Sequence, residues 1–82
     1  MKVQVTLYTK PGCHLCDEMK AEMAKADCTE LYALQEIDIE GDDELRARYR
    51  YDIPVLLING VEAFRHKLSA GAFRAHLKRQ SG

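Results

Sequence analysis

A chain of 82 residues has room for one domain, and we expect a single unit spanning residues 1–82. Its twelve basic and thirteen acidic residues nearly cancel, which disfavours nucleic acid and anionic membrane surfaces as partners. The sequence contains no apolar run long enough to cross a bilayer and begins without the pattern of a secretory signal. These features predict a soluble protein of the cytoplasm. We also expect a monomer, although the sequence does not define the oligomeric state.

The first half of the sequence has the pattern of a β-α-β unit. Val3 to Tyr8 alternates apolar and polar residues, as does a strand with one buried face. Residues 13–27 then predict a helix, because apolar residues recur at intervals of three and four. The apolar face of this helix consists of Leu15, Met19, Met23 and Ala26. Leu34 to Ile39 predicts a second strand, which a right-handed crossover makes parallel to the first.

The second half predicts a short helix, a hairpin and a final helix. Asp42 is suited to be the N-cap of the short helix. Val55 to Ile58 is continuously apolar, as a buried strand is, and Asn59-Gly60 favours a tight hairpin returning through Val61 to Phe64. Ser69 is a candidate N-cap for the last helix. The order β-α-β-α-β-β-α predicts an α/β fold with a four-stranded mixed sheet and three helices.

Two of the three cysteines stand where the first strand gives way to the first helix. At a helix start, unpaired backbone N–H groups and the positive end of the dipole favour a thiolate at Cys13. Cys16 returns to nearly the same helix face, so it can form a disulfide with Cys13 or displace a mixed disulfide formed there. In a reducing compartment, a close cysteine pair is more often redox-active or metal-binding than structural.

A resemblance to a known family rests on two motifs and on the order of the elements. The sequence Cys-His-Leu-Cys at residues 13–16 follows the first strand, and Ile53-Pro54 precedes the third. This combination resembles the thioredoxin superfamily, and most closely its short glutaredoxin-like members, over Val3 to Lys78. The resemblance implies a thioredoxin-like fold.

The resemblance also implies an activity and a set of site residues. It makes the protein a thiol–disulfide oxidoreductase in which Cys13 is the nucleophile and Cys16 the resolving thiol. Pro54 would be a cis proline beside the pair, and Ile53 would offer main-chain atoms to an extended substrate segment. The substrate would be a disulfide-containing protein or small molecule, the electron donor a thiol, and no bound cofactor is required.

The sequence departs from glutaredoxins at two places. Glutathione-using members carry Gly-Gly after the hairpin, whereas this chain reads Phe-Arg-His-Lys at residues 64–67, so the amide cradle for glutathione is missing. Lys10 matches a basic position that can meet a glutathione carboxylate, which leaves glutathione and other thiols open as reductants. Between the cysteines, His14 takes the place of the usual proline, and its positive charge, when protonated, would tune the Cys13 thiolate.

Two other functions are open at this point. The cysteine pair supplies half of a zinc or iron–sulfur site, although no second cysteine pair or paired histidine completes it, and we predict no metal ligands. The chain could also be an interaction domain that keeps the fold and has idle cysteines. Cys28 has no motif around it, and we expect an incidental or partly buried thiol.

Overall fold

The computed structural model describes residues 2–81, so the first and last residues of the predicted 1–82 unit lie outside it. Within this range, seven helices and strands follow one another in the predicted order. They are β1 (Val3–Thr9), α1 (His14–Lys25), β2 (Tyr32–Asp38), α2 (Asp43–Tyr49), β3 (Val55–Ile58), β4 (Val61–Arg65) and α3 (Ala70–Ser81). Single 3-10 turns at Thr29–Leu31 and Ile39–Gly41 flank β2. No helix in residues 2–81 has the length and apolar character needed to cross a membrane.

The four strands form one mixed sheet in the order β2-β1-β3-β4. β1 and β2 are parallel, as predicted, and their carboxyl ends are aligned, with Thr9 opposite Asp38. β3 is antiparallel to both β1 and β4. Because β1 and β3 run in opposite directions, the end of β1 lies beside the start of β3, with Tyr8 opposite Val55.

Helices cover both faces of the sheet, since alternate strand residues point to opposite sides. The larger core cluster contains Leu7 and Leu56 together with residues of α1 and α3, so these two helices cover one face. The neighbouring strand residues Tyr8 and Val55 join a second cluster with Tyr49 of α2, which covers the other face. The protein is therefore a three-layer structure with an apolar cluster on each side of the sheet.

The predicted N-caps of α2 and α3 and the predicted tight turn of the hairpin are confirmed. The Asp42 carboxylate accepts two backbone N–H groups in the first turn of α2, both at 3.0 Å. The Ser69 hydroxyl accepts the N–H of Ala72 at 3.2 Å at the start of α3. Asn59 and Gly60 have φ angles of 51° and 82°, the left-handed conformation that the tight hairpin requires.

The predicted apolar face of α1 is wrong in one position. Leu15 is 41% exposed, and Cys16 takes its place in the interior. The buried face consists of Cys16, Met19, Met23 and Ala26. Leu15 lies one turn before Met19 on the same stripe, so its exposure reflects its place in the first turn of α1, where it lines a groove and is not covered by the core. The helix also ends at Lys25, two residues earlier than predicted, and Asp27 has a left-handed φ of 51°.

The strand ends also differ from the prediction, because pairing with neighbours decides them. β2 begins two residues earlier, at Tyr32, whose ring packs edge-on against Phe73 with centroids 5.3 Å apart. Ile39 leaves the strand for a 3-10 turn and is fully buried there. β4 is one residue longer, because Arg65 pairs with Val55.

We predict that Phe73→Ala lowers the free energy of unfolding by about 3–5 kcal/mol, because it removes a fully buried ring from the larger core cluster. Chemical denaturation followed by circular dichroism measures this loss. Tyr51→Ala is the matched control, since Tyr51 is 80% exposed, and its effect should stay within about 0.5 kcal/mol. Equal losses in the two variants would contradict the placement of Phe73.

Candidate active site

The turn between β1 and α1 places the first cysteine. Gly12 has a φ of 76°, a left-handed conformation that allows the chain to turn from the strand into the helix. Cys13 follows in extended conformation as the N-cap of α1, and its Sγ accepts the backbone N–H of Cys16 at 3.1 Å. A sulfur atom thus stands where a serine or aspartate oxygen commonly satisfies the first turn of a helix.

Cys13 and Cys16 are joined by a disulfide, and their Cα atoms are 5.2 Å apart. The structure is therefore that of the oxidised form. The two cysteines differ in exposure, since Cys16 is only 2% exposed whereas Cys13 is partly exposed. An incoming group can reach the Cys13 side of the pair.

Charges in the first turn of α1 act on this sulfur in opposite directions. The partial positive charge at the helix N-terminus favours an anionic sulfur. Asp17, in the same turn, adds a negative charge that disfavours one. His14 is the first residue of α1 and is exposed, and its tuning role stays a prediction.

The loop before β3 lies beside the cysteine pair. The Ile53-Pro54 peptide bond is cis, as the family resemblance implies. Ile53 is 7% exposed and belongs to the same apolar cluster as Cys16, against which Cys13 also packs. The N–H of Ile53 donates to the carbonyl of Tyr49 at 3.2 Å. One of the main-chain groups of Ile53, which we expect to pair with a substrate, is thus engaged within the chain in the oxidised form.

Ion pairs connect this loop to the segment where glutathione-using relatives carry Gly-Gly. Arg65 lies 3.2 Å from the Asp52 carboxylate and 2.7 Å from that of Glu62. The hydrogen bond from Arg65 lowers the pKa of Glu62 below its usual value. The N–H of His66 donates to the carbonyl of Pro54 at 2.8 Å. Side-chain and main-chain contacts therefore both tie the end of β4 to the proline loop.

A cavity of about 270 Å³ opens beside the disulfide, between the turn at the end of β1, the start of α1 and the end of β2. Among the residues that line it are Lys10, Cys13, Cys16, Asp17, Lys20 and Asp38. The cavity thus brings the predicted binding residue Lys10 together with both cysteines. Lys20 forms an ion pair with Glu36 at 3.1 Å.

Asp38 and Lys20 are charged residues of the cavity wall that the sequence analysis does not identify. The case of Asp38 is instructive. Its signal was available in principle, because a parallel pairing of the first two strands brings their carboxyl ends together. The sequence pattern predicts a second strand that runs through Ile39, with Asp38 in the body of the strand. The observed register places it at the last pair of the ladder, opposite Thr9.

A second, larger groove of about 560 Å³ lies between α1 and the segment after β4. Its walls include Leu15, Lys67 and Leu68. Glu22, also in the wall, accepts hydrogen bonds from Lys25 at 3.0 Å and from the N–H of Ala70 at 3.1 Å, and both lower the pKa of its carboxyl. The exposed Leu15 therefore contributes to a groove rather than to the core.

The positions of possible metal-ligating side chains are relevant to the alternative that the protein binds zinc or an iron–sulfur cluster. In the part of the chain that the structure describes, residues 2–81, no group of three or more His, Cys, Asp or Glu side chains could hold a metal ion. Cys28, the spare thiol, is buried in the larger core cluster instead.

Comparison of the sequence with known protein families identifies a family that agrees with this geometry. Residues 4–78 match the family described as Glutaredoxin-like domain (DUF836), which covers nearly all of the chain. The chain belongs to this glutaredoxin-like family.

Three of the solved structures that are similar to this chain illustrate the relationship. Target protein XcR50 from X. campestris is 29% identical, with a TM-score of 0.77 over 92% of this chain and 96% of that chain. Protein Ne2328 from Nitrosomonas europaea is 27% identical, with a TM-score of 0.76 over 93% of this chain and 92% of that chain. A mutant thioredoxin from Halobacterium salinarum is 14% identical, with a TM-score of 0.72 over 99% of this chain and 76% of that chain. The thioredoxin-like fold is thereby confirmed.

The third cysteine of this glutaredoxin-like protein is more buried than predicted. Cys28 is 1% exposed and packs in the larger core cluster. Burial raises the pKa of its thiol above the ordinary value, and the nearby carboxylate of Glu30 raises it further. Since thiolates are the reactive species, Cys28 should be inert in the folded protein.

We predict that iodoacetamide leaves Cys28 unmodified in the oxidised native protein at pH 8, because its raised pKa and burial both suppress the thiolate. Addition of denaturant should expose one reactive thiol per chain, and mass spectrometry of the intact protein and its peptides locates the label. Cys28→Ser, treated in the same way, should take up no label. Rapid labelling of Cys28 before unfolding would contradict its placement.

Proposed function

We propose that this glutaredoxin-like protein is a thiol–disulfide oxidoreductase that works by dithiol exchange. The observation that carries the proposal is the position of Cys13, which caps α1 with its sulfur and is the more exposed member of a disulfide-bonded pair. A thiolate accepts a backbone N–H more strongly than a neutral thiol does, so the helix start favours the nucleophilic form of Cys13.

The proposed reaction begins from the reduced protein. The Cys13 thiolate attacks one sulfur of a substrate disulfide, a mixed disulfide forms, and the other substrate sulfur leaves as a thiolate that takes up a proton. Cys16 then loses its proton and attacks the Cys13 sulfur, which releases the second substrate thiol. The substrate has gained two electrons, and the Cys13–Cys16 disulfide is left for an external thiol donor to reduce.

The residues around the pair receive roles that follow from their positions. Lys10 lines the cavity beside the cysteines, where its ammonium group would meet an anionic part of the substrate. Ile53 packs in the apolar cluster with Cys16, and the cis peptide bond joins it to Pro54. Main-chain pairing of a substrate with the N–H of Ile53 would require this group to leave the carbonyl of Tyr49. His14 would add positive charge near the thiolate when protonated.

We further propose that the reaction needs no bound cofactor and that a disulfide-containing protein or small molecule is the substrate. The protein would act as a monomer in the cytoplasm, without nucleic acid or membrane partners, and would transfer electrons from a thiol donor to disulfides. Glutathione is the less suitable donor, because the ion-paired Arg65 occupies the segment where glutathione-using relatives carry Gly-Gly.

We predict that Cys16→Ser accumulates a mixed disulfide through Cys13 when it meets a disulfide substrate, because the resolving thiol is gone. Incubation of the reduced variant with 2-hydroxyethyl disulfide, followed by intact mass spectrometry and peptide mapping, identifies the adduct. Cys28→Ser is the matched control and should turn over without accumulating an adduct, since its thiol is buried in the core. Cys13→Ser should lose disulfide reductase turnover altogether. Absence of an adduct on an accessible Cys13 would count against the proposed function.

A separate prediction concerns the electron donor. At equal thiol concentration, dithiothreitol should reduce the oxidised protein at least about tenfold faster than glutathione, because a dithiol needs no docked second molecule to complete the exchange. Stopped-flow measurement of pair reduction, with a small-molecule disulfide as the reference for intrinsic thiol reactivity, provides the comparison. A rate with glutathione equal to that with the dithiol, after this correction, would favour a glutathione-dependent enzyme.

A further inference from the structure

We propose that Arg65 is a positioning residue for the reaction with peptide disulfides, because it fixes the main chain of Ile53 beside the cysteine pair. The inference deepens the proposed function and rests on it. It starts from contacts between the end of β4 and the proline loop, residues 50–54, which connects α2 to β3. Two consecutive residues, Arg65 and His66, make these contacts on either side of Ile53.

The guanidinium group of Arg65 bridges two carboxylates. Its Nε and Nη2 atoms donate to the two carboxylate oxygens of Glu62 at 3.0 and 2.7 Å. Its Nη1 atom lies 3.2 Å from the carboxylate of Asp52, the residue before Ile53. Three nitrogens of one planar group are thus engaged, which the single ammonium group of a lysine does not reproduce. Glu62 orients the guanidinium, and the guanidinium in turn holds Asp52.

The main chain after Arg65 provides a second anchor for the proline loop. The N–H of His66 donates to the carbonyl of Pro54 at 2.8 Å. The N–H of Lys67 returns to the carbonyl of Arg65, also at 2.8 Å, which closes a tight turn around His66. His66 has a φ of 70°. A positive φ is uncommon outside glycine, and such backbone strain persists only where the surrounding structure enforces it.

Ile53 is thus held through both of its neighbours, Asp52 and Pro54. It packs in the apolar cluster with Cys16, so its main chain has a fixed position relative to the cysteine pair. Main-chain hydrogen bonds need donor–acceptor distances of about 2.7–3.2 Å, so a loop displaced by about 1 Å no longer pairs with a substrate. A peptide that pairs with Ile53 therefore presents its disulfide to Cys13 only while the loop keeps this position.

A guanidinium at this place could instead bind an anionic group of the substrate directly. The two carboxylates on Arg65 disfavour that role, since together they carry more negative charge than the guanidinium neutralises. The two roles predict opposite effects of Asp52→Asn. If Arg65 binds an anionic substrate, loss of the competing carboxylate strengthens binding. If Arg65 positions the loop, loss of its partner weakens binding.

The proposal is tested by steady-state reduction of a fluorescent disulfide peptide with a dithiol donor in excess. Arg65→Gln should raise KM about tenfold, the size expected from the loss of two half-exposed ion pairs. Its kcat should stay within about twofold of the wild type, as expected when only binding is lost. Asp52→Asn should raise KM by about threefold, because one of the two pairs is lost. Alkylation of Cys13 by iodoacetamide in reduced Arg65→Gln should proceed at the wild-type rate.

Arg46→Gln is the matched control, because Arg46 also bridges two carboxylates. Its guanidinium lies 3.2 Å from Asp43 and 3.9 Å from Glu40, and its side chain is 47% exposed, compared with 41% for Arg65. Neither of these carboxylates belongs to the proline loop. The two arginine variants should therefore lose similar stability in chemical denaturation, while Arg46→Gln keeps the wild-type KM for the peptide.

A double-mutant cycle shows whether Arg65 acts through Asp52. Arg65→Gln combined with Asp52→Asn should have the KM of Arg65→Gln alone, since substitutions of residues in contact are not additive. Arg65→Lys should give a KM between those of the wild type and Arg65→Gln, because it keeps the charge and loses the planar fork. This variant and Asp52→Asn carry the test if Arg65→Gln does not fold.

A wild-type KM in Arg65→Gln, or a lowered KM in Asp52→Asn, would overturn the role of Arg65 alone. So would a wild type that reduces 2-hydroxyethyl disulfide but not the peptide. A wild type that reduces neither disulfide would overturn the proposed function as well.

Discussion

The hydrogen bond from the backbone N–H of Cys16 to the sulfur of Cys13 is the interaction on which the site depends. It makes one residue serve as both the N-cap of α1 and the candidate nucleophile, so the sulfur lies where unpaired backbone donors converge. Met19 and Met23 anchor the helix on the sheet, and the position of the sulfur follows from that packing. Core stability and sulfur reactivity are thereby coupled through one helix.

The topology of the sheet brings three chain segments to the same edge. Parallel pairing puts the carboxyl ends of β1 and β2 side by side, which joins the cysteine turn with Asp38. Antiparallel pairing puts the start of β3 beside the end of β1, which brings the loop with Pro54 to the same place. A mixed sheet of this order therefore assembles the site from residues distant in sequence.

Much of the fold could be predicted because its signals are local. Asp42 and the Asn59-Gly60 turn act through their own backbone conformation or through neighbours in the first helical turn, so the sequence alone identifies them. The cysteine pair was found for the same reason, since its spacing and the helix start lie in one short segment. The ends of the strands, which depend on pairing between strands, are predicted less accurately. The start of β2 at Tyr32 is set by its neighbours β1 and α3.

The misplacement of Leu15 shows why the remainder of the site could not be predicted. An apolar periodicity identifies a helix, but Leu15 and Cys16 are both acceptable interior residues, and only the packed structure decides between them. Burial of Cys16 in the cluster with Ile53 has a chemical consequence, because it shields one sulfur and leaves the other partly exposed. The unequal exposure of the two sulfurs, which separates an attacking from a resolving thiol, is thus a result of how α1 is rotated on the sheet.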